Sequence, residues 1–197
     1  MYEVIGTDGT INYLSKDKRY FFFGTIIDTK EKTNLTEERK AEIFKINFSE
    51  LSLQDAIKLP SKKNGTKKIA AFIDPSCPWC RKLYGEFKKF EDVTVYVFLT
   101  PLSSKDVIRS LWCSKDIAII DQAFMRDTKE IKIQAKECDS SAIDRNLTFI
   151  KTHGINSYPT IIFENGKRIA GYVPYEKLIK LINENSLNTL SRKEGKR

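Results

Sequence analysis

The chain has 197 residues, of which 41% are hydrophobic and 30% are charged, enough for one domain of ordinary size with a small appendage. No apolar run approaches the roughly 20 residues that a membrane helix needs. The net charge of +8 is spread along the chain, with clusters in residues 62–68 and 192–197, and no nucleic-acid-binding motif accompanies it. We therefore expect no nucleic-acid partner, and we interpret the two clusters as a solvated linker and a frayed tail.

Residues 1–35 alternate in short pieces that are typical of a small β-rich segment. The pattern predicts strands over residues 10–14 and 20–27, with turns at Asp8-Gly9 and at residues 16–18. A few strands alone form only a marginal sheet. We therefore expect this segment to lean on a partner chain or on the next domain.

Residues 36–66 are first charged and then amphipathic, which indicates a partly helical linker. Helical spacing covers residues 37–48 and residues 52–59, and Ser52 suits the start of the second helix. The stretch from Pro60 to Thr66 contains the strongest turn residues and predicts the main boundary of the chain.

Residues 67–190 have the pattern of one α/β domain. Apolar runs over residues 69–73 and 93–99 predict strands, and helical spacing between them predicts a helix that starts at Cys77. The order β-α-β with a short helix implies a parallel pair of strands.

The rest of this domain is predicted as a helical insertion followed by a β-β-α unit. The insertion covers about residues 103–153. Asn165-Gly166 is a strong hairpin signal. The remaining predicted elements are helices over residues 104–125, 142–153 and 174–185 and strands over residues 160–163 and 168–172. Residues 191–197 are expected to be a disordered basic tail.

Two cysteines, Cys77 and Cys80, lie at the start of the first helix of this domain. Ser76 suits the N-cap, so Cys77 is expected in the first turn, where free N–H groups and the helix dipole favour the reactive thiolate. Cys80 is within reach of Cys77 for a disulfide. Pro78 has no N–H to lose, and Trp79 places a large apolar face beside the sulfur. The spacing predicts a redox pair in which Cys77 attacks and Cys80 resolves.

Two other interpretations of this pair are a zinc half-site and a pair of inert thiols. Zinc needs four ligands, usually from two C-x-x-C knuckles, and the sequence has no second C-x-x-C and only one histidine, His153. We therefore expect no metal and no organic cofactor.

Tyr158-Pro159 precedes the predicted strand at residues 160–163. A cis bond would set Pro159 against the cysteine pair and leave the Tyr158 backbone free to pair with an extended substrate. The alternative is a trans proline at the start of a strand.

Charged residues near the cysteine pair also have two interpretations each. Asp74 influences proton transfer or caps a loop, and Arg81 and Lys82 add positive potential or face water.

The chain resembles the periplasmic disulfide isomerases of the DsbC/DsbG type, which have a thioredoxin fold. The resemblance covers nearly the whole chain and rests on several stretches. These are Phe72 to Cys80, Leu111 to Asp116 with the later Glu137-Cys138-Asp139, Gly154 to Thr160, and Asn165 to Pro174. Gly9 to Leu14 and Tyr20 to Asp28 look like the end of the family's dimerisation domain. The Trp-Cys-x-Lys-Asp insertion is more specific than C-x-x-C alone.

The resemblance implies a thioredoxin-like catalytic domain preceded by a partial dimerisation domain and a linker helix. It also implies a structural disulfide between Cys113 and Cys138, a substrate site formed by Pro78, Trp79, Tyr158 and the cis Pro159, and exported cysteine-containing substrates. The same resemblance implies a homodimer and a membrane reductant of the DsbD kind. It also implies a periplasmic location, with the export leader removed from this chain.

The main hypothesis is therefore a disulfide isomerase or reductase. Pro78-Trp79 differs from the family's Gly-Tyr and Pro-Tyr dipeptides, and Tyr158 stands where DsbC has Thr. One alternative is a dithiol oxidase that donates disulfides. Another is a chaperone or assembly factor whose apolar surface includes Phe21-Phe22-Phe23, although these residues are also typical of a strand core. Cys113 and Cys138 have the alternative role of a second redox couple.

Overall fold

The structure is a computed structural model that describes residues 1–6, 9–102, 104–126 and 137–187. It divides the chain into two compact units, Met1–Lys45 and a second unit that begins at Ile46. Within the described residues, no helix combines the length and the hydropathy needed to cross a membrane. The predicted tail at residues 191–197 lies outside the described residues.

The first unit is a small antiparallel sheet with one helix. Strands β1 (Tyr2–Ile5), β2 (Ile11–Leu14) and β3 (Phe21–Phe22) pair in that order, β4 (Ile27–Asp28) pairs with β5 (Thr33–Asn34), and α1 (Leu35–Ile43) follows. The predicted strand over residues 20–27 is interrupted at Gly24, whose φ of +146° few L-residues can adopt. Asn34 caps α1 by accepting the N–H of Glu37.

The core of the first unit centres on Tyr13 and Thr36, which are both buried and hydrogen-bonded to each other. The hydroxyl oxygen of Thr36 also accepts the N–H of Ile26 at 2.9 Å. The strand-core interpretation of Phe21, Phe22 and Phe23 is wrong. All three are exposed because their strand ends after two residues and turns no face toward this core.

The second unit contains a five-stranded sheet of order β10-β9-β7-β8-β6. The central pair, β7 and β8, is parallel, as the β-α-β pattern predicts, and the other neighbours are antiparallel. Its strands are β6 (Ile57–Leu59), β7 (Lys67–Ile73), β8 (Val93–Leu99), β9 (Thr160–Phe163) and β10 (Arg168–Ala170). Buried residues of β7, β8 and β9 form apolar cores on the two faces of the sheet.

The structure divides residues 36–66 differently from the predicted linker. Residues 46–66 belong to the second unit, where Ile46 and Leu51 are buried in the core. The predicted helix over residues 52–59 is wrong, because Ile57 and Leu59 point into the core on either side of the exposed Lys58. This period of two fits the edge strand β6, and the N-terminal part forms only a short 3₁₀ turn.

Among its described residues, the second unit also contains five α-helices. They are α2 (Pro78–Phe87), α3 (Lys105–Ser114), α4 (Ile117–Met125), α5 (Ser141–Thr152) and α6 (Tyr175–Asn185). The single helix predicted over residues 104–125 is two helices, because Lys115 adopts φ +52° and Asp116 starts α4 by capping the N–H of Ala118. The part of the insertion at residues 127–136 lies outside the described residues.

Candidate active site

The cysteine pair lies where the central strand β7 passes into α2. Cys77 itself is the N-cap of α2, and its Sγ accepts the N–H of Cys80 at 3.4 Å. The prediction that Ser76 caps the helix is wrong by one residue, because the side chain that accepts a first-turn N–H is the Cys77 sulfur, while the Ser76 N–H donates to the carboxylate of Asp74. The Cys77 N–H donates to the Asp74 carbonyl at 3.1 Å. The Cys77 sulfur therefore lies at the positive end of the helix dipole.

The two thiols have different environments. Cys77 is partly exposed, whereas Cys80 has no exposed surface at all, and neither forms a disulfide in this structure. Burial raises the pKa of the Cys80 thiol, and its hydrogen bond with Cys77 and the nearby Asp74 carboxylate raise it further. Cys77 is thus the accessible sulfur, and Cys80 is a thiol held in its protonated form.

Asp74 connects two loops beneath the cysteine pair. Its side chain is 1% exposed. One carboxylate oxygen accepts the Ser76 N–H, and the other accepts the Leu102 N–H at 2.7 Å. The first bond fixes the turn before Cys77, and the second holds the loop that follows β8. From the sequence, Asp74 had two interpretations, an influence on proton transfer or the capping of a loop. The structure contains the loop hydrogen bonds.

Trp79 belongs to an aromatic and cationic cluster on the surface of α2. Its side chain is 57% exposed, and its ring lies 6.0 Å from that of Tyr172. The Lys82 ammonium group lies 4.5 Å from the Tyr172 ring centroid and 5.5 Å from that of Trp79. The Tyr172 hydroxyl donates to Glu86 at 2.7 Å. Sequence reasoning missed this cluster, because Tyr172 comes from the distant segment after β10.

The Tyr158–Pro159 peptide bond is cis, as predicted. Tyr158 is partly buried and packs against the apolar clusters on both faces of the sheet. Burial raises the pKa of the Tyr158 hydroxyl, and the Asp74 carboxylate acts in the same direction. The Pro159 carbonyl accepts the N–H of Gly171 at 2.7 Å. This hydrogen bond fixes the loop that contains Tyr172 of the aromatic cluster next to the cis proline.

Cys113 and Cys138 form a disulfide that joins α3 to the segment before α5. Next to it, Trp112 Nε1–H donates to the Asp139 carbonyl at 3.1 Å, and the Lys115 ammonium lies 3.8 Å from the Trp112 ring centroid. This disulfide is therefore part of a packed corner of the insertion. Across the described residues, no group of three His, Cys, Asp or Glu side chains is arranged to hold a metal ion.

Family models match most of the chain. The model described as a thioredoxin-like domain matches residues 53–186, and the model described as the disulfide bond isomerase protein N-terminal domain matches residues 1–37. These matches confirm the predicted fold class, a thioredoxin-like domain preceded by a β-rich N-terminal domain.

Individual relatives agree with these matches. The "Probable thiol:disulfide interchange protein DsbC" of Bordetella pertussis is 30% identical over 90% of this chain and 63% of its own length. The protein of the same name from Bordetella avium is 31% identical over 90% of this chain and 64% of its own. This chain thus spans less than two thirds of these relatives.

Among solved structures, the disulfide interchange protein from Neisseria gonorrhoeae is 34% identical, with a TM-score of 0.60, over 68% of this chain and 98% of that chain.

Proposed function

This chain belongs to the DsbC-like proteins of the thioredoxin-like family, and on that premise we propose that it is a thiol–disulfide isomerase or reductase of exported proteins. The observation that carries the proposal is the asymmetry of the cysteine pair. A reactive sulfur at a helix N-terminus and a buried partner three residues later are suited to attack and delayed resolution.

In the first step, the Cys77 thiolate attacks one sulfur of a substrate disulfide. A Cys77–substrate disulfide forms, and the other substrate sulfur leaves as a thiolate that takes a proton from solvent. The Cys80 N–H, which already points at the Cys77 sulfur, stabilises the attacking thiolate. Pro78 and Trp79 on one side and Tyr158 and Pro159 on the other form the proposed substrate contacts.

The second step has two outcomes. In isomerisation, another substrate thiolate attacks the mixed disulfide at the substrate sulfur, a new substrate disulfide forms, and Cys77 is released as a thiolate. In reduction, the Cys80 thiolate attacks the Cys77 sulfur, so the substrate leaves with two thiols and Cys77–Cys80 becomes oxidised. The burial of Cys80 keeps its thiolate fraction low, which favours a longer-lived mixed disulfide. The pair needs no metal or organic cofactor.

Recovery of scrambled multi-disulfide proteins tests this assignment. Cys77→Ala is expected to abolish recovery in a glutathione buffer. Cys80→Ala is expected to retain part of the isomerisation but to lose net reduction, and to accumulate mixed disulfides that mass spectrometry identifies. Full recovery with Cys77→Ala, or equal losses for both variants without a trapped species, contradicts the assignment.

Self-association is the second part of the proposal: the first unit forms a homodimer through its apolar surface. Phe21, Phe22 and Phe23 are 43%, 48% and 82% exposed, and an apolar patch of this kind is typical of an interface. Light scattering should give a dimer for the wild type and a monomer for Phe23→Asp. Met125→Asp, which changes an exposed apolar residue of the second unit, is the matched control. A dimer that persists in Phe23→Asp contradicts this interface.

The remaining parts of the proposal are a location outside the cytoplasm and regeneration of the dithiol by a membrane reductant of the DsbD kind. The Cys113–Cys138 disulfide supports the location, because structural disulfides persist in oxidising compartments. Fractionation with thiol trapping tests both points: the exported protein should carry Cys77 and Cys80 mainly as thiols, and loss of the reductant should oxidise them.

A further inference from the structure

The lysines in and just after α2 differ in how their charges are compensated. Lys88 pairs with Asp121, and Lys89 pairs with Glu86 at 2.5 Å. Lys82, which is closer in sequence to the cysteine pair, has no carboxylate within ion-pair distance among the described residues. Its ammonium group instead faces two aromatic rings. The positive charge next to Trp79, a residue between the two cysteines of the motif, therefore has no ion-pair partner in the described part of the chain.

The two rings hold this charge in one place. Each cation–π contact attracts the ammonium group electrostatically to the face of a ring. The Tyr172 ring is itself fixed, because its hydroxyl donates to the buried Glu86. Tyr172 also follows Gly171, whose N–H is bonded to Pro159. A lysine that is ordered before binding loses less conformational entropy when it meets an anion than a free surface lysine does.

The position of Lys82 matches the reach of a bound peptide. Lys82 lies five residues after Cys77 along the start of α2, an axial rise of about 7.5 Å. A substrate attached to the Cys77 sulfur in an extended conformation covers about 6.6 Å in two residues. Along the helix axis, a side chain about two residues from the substrate cysteine is therefore level with Lys82, whose ammonium group lies against the ring of Trp79, two residues after Cys77.

We propose that Lys82, held between Trp79 and Tyr172, forms a subsite for a carboxylate of the substrate, so that disulfides flanked by Asp or Glu react faster. This inference rests on the proposed function, because it concerns the same sulfur and the same substrates. The Trp79 ring covers the apolar part of the flanking segment, and the ammonium group supplies the charge.

Three symmetric peptide disulfides that differ only at the second residue after cysteine test the subsite. That residue is Glu, Gln or Lys, and reduction is followed by acid quenching and chromatography. Rates with dithiothreitol correct for the intrinsic reactivity of each peptide. The wild type is expected to prefer Glu over Lys by about threefold to tenfold at low salt, and added salt should reduce this preference.

Three variants separate the subsite from general charge. Lys82→Gln should bring the preference close to one, and Lys82→Arg should keep it. Lys58→Gln changes the net charge equally on strand β6, at the far edge of the sheet, and should leave the preference at its wild-type value. An unchanged preference in Lys82→Gln, or equal wild-type rates for all three peptides, overturns the subsite alone. A wild type that reduces none of the peptides overturns the proposed function and the subsite with it.

Discussion

Replacing Asp74 by Asn tests how the active-site loops are held. The carboxylate is 1% exposed, and its two oxygens accept the N–H groups of Ser76 and Leu102. Asn keeps the shape and one oxygen, but its NH₂ group then faces the second N–H. The variant loses one charge-assisted hydrogen bond and leaves a buried donor without an acceptor, and each of these effects costs about 1–3 kcal/mol.

We therefore expect Asp74→Asn to lower the free energy of unfolding by about 2–4 kcal/mol, because the cost of burying the wild-type carboxylate offsets part of the loss. Urea unfolding of the reduced protein, with the m-value unchanged, measures this difference. Asp106→Asn, an exposed change in the first turn of α3, is the control and should stay within about 0.5 kcal/mol of wild type. An Asp74→Asn variant as stable as this control refutes the idea that these two bonds hold the loops.

The same variant also changes the chemistry. The Asp74 carboxylate raises the pKa of the Cys80 thiol, so its removal should lower that pKa. The pH dependence of the step that needs Cys80, release of the substrate thiol from the Cys77 mixed disulfide, should then shift toward lower pH. A shift in the opposite direction would mean that loop distortion outweighs the lost negative charge.

Three further predictions concern other parts of the molecule. Replacing Cys113 and Cys138 together by Ala removes a link of sequence separation 25, worth about 3.5 kcal/mol in the chain-entropy model, and should lower the Tm by about 7–14 °C in a thermal melt while cysteine-pair activity remains. Arg145→Met should lower the free energy of unfolding at pH 7, because it removes both guanidinium hydrogen bonds from the buried Asp55 carboxylate. The pKa of Asp55 is lowered by Arg145, so this stability is present above about pH 4, is lost as the pH falls through the folded pKa, and the two proteins should converge in acid. Iodoacetamide at pH 7 should modify Cys77, the partly exposed thiol, in the reduced folded protein, and should modify Cys80 only after unfolding. Equal rates of modification at the two cysteines would contradict the burial of Cys80.

Strands with strong local signals were predicted almost to the residue. Val93–Leu99 and Thr160–Phe163 match the structure because both are β-branched or aromatic runs that end next to a proline or a turn. The residues of β6 were assigned to a helix because Ser52 suggested a cap and Ile57 to Leu59 is too short to establish a period. Pairing with β8 decided the outcome, and that pairing is a tertiary contact.

The cysteine pair was found from the sequence because it has a local signature, whereas the cis bond at Tyr158–Pro159 was expected only because of that pair, since a trans proline also suits the start of a strand. The cap was misplaced by one residue because Ser is a common N-cap residue and Cys is not, whereas in the structure the Cys77 sulfur accepts the first-turn N–H after the turn that Asp74 holds. The split between α3 and α4 was missed although Asp116 before an apolar run is itself a capping signal. The cluster of Lys82 and Tyr172 has no local signature, since it exists only when the end of β10 returns to α2.

The arrangement of the site separates the two halves of the proposed reaction. Attack depends on Cys77, which is accessible and faces the N–H groups of the first turn of α2. Resolution depends on the thiolate fraction of Cys80, which burial and the Asp74 charge keep low. Each unit by which the pKa of Cys80 is raised reduces that fraction about tenfold at neutral pH, and so lengthens the time for which the substrate stays attached. A substrate with a further thiol can rearrange its disulfides within that time. A substrate without one stays attached until Cys80 attacks the mixed disulfide. In the proposed function, the same pair therefore acts as an isomerase or a reductase according to the substrate, and the environment of Cys80 sets the balance between the two.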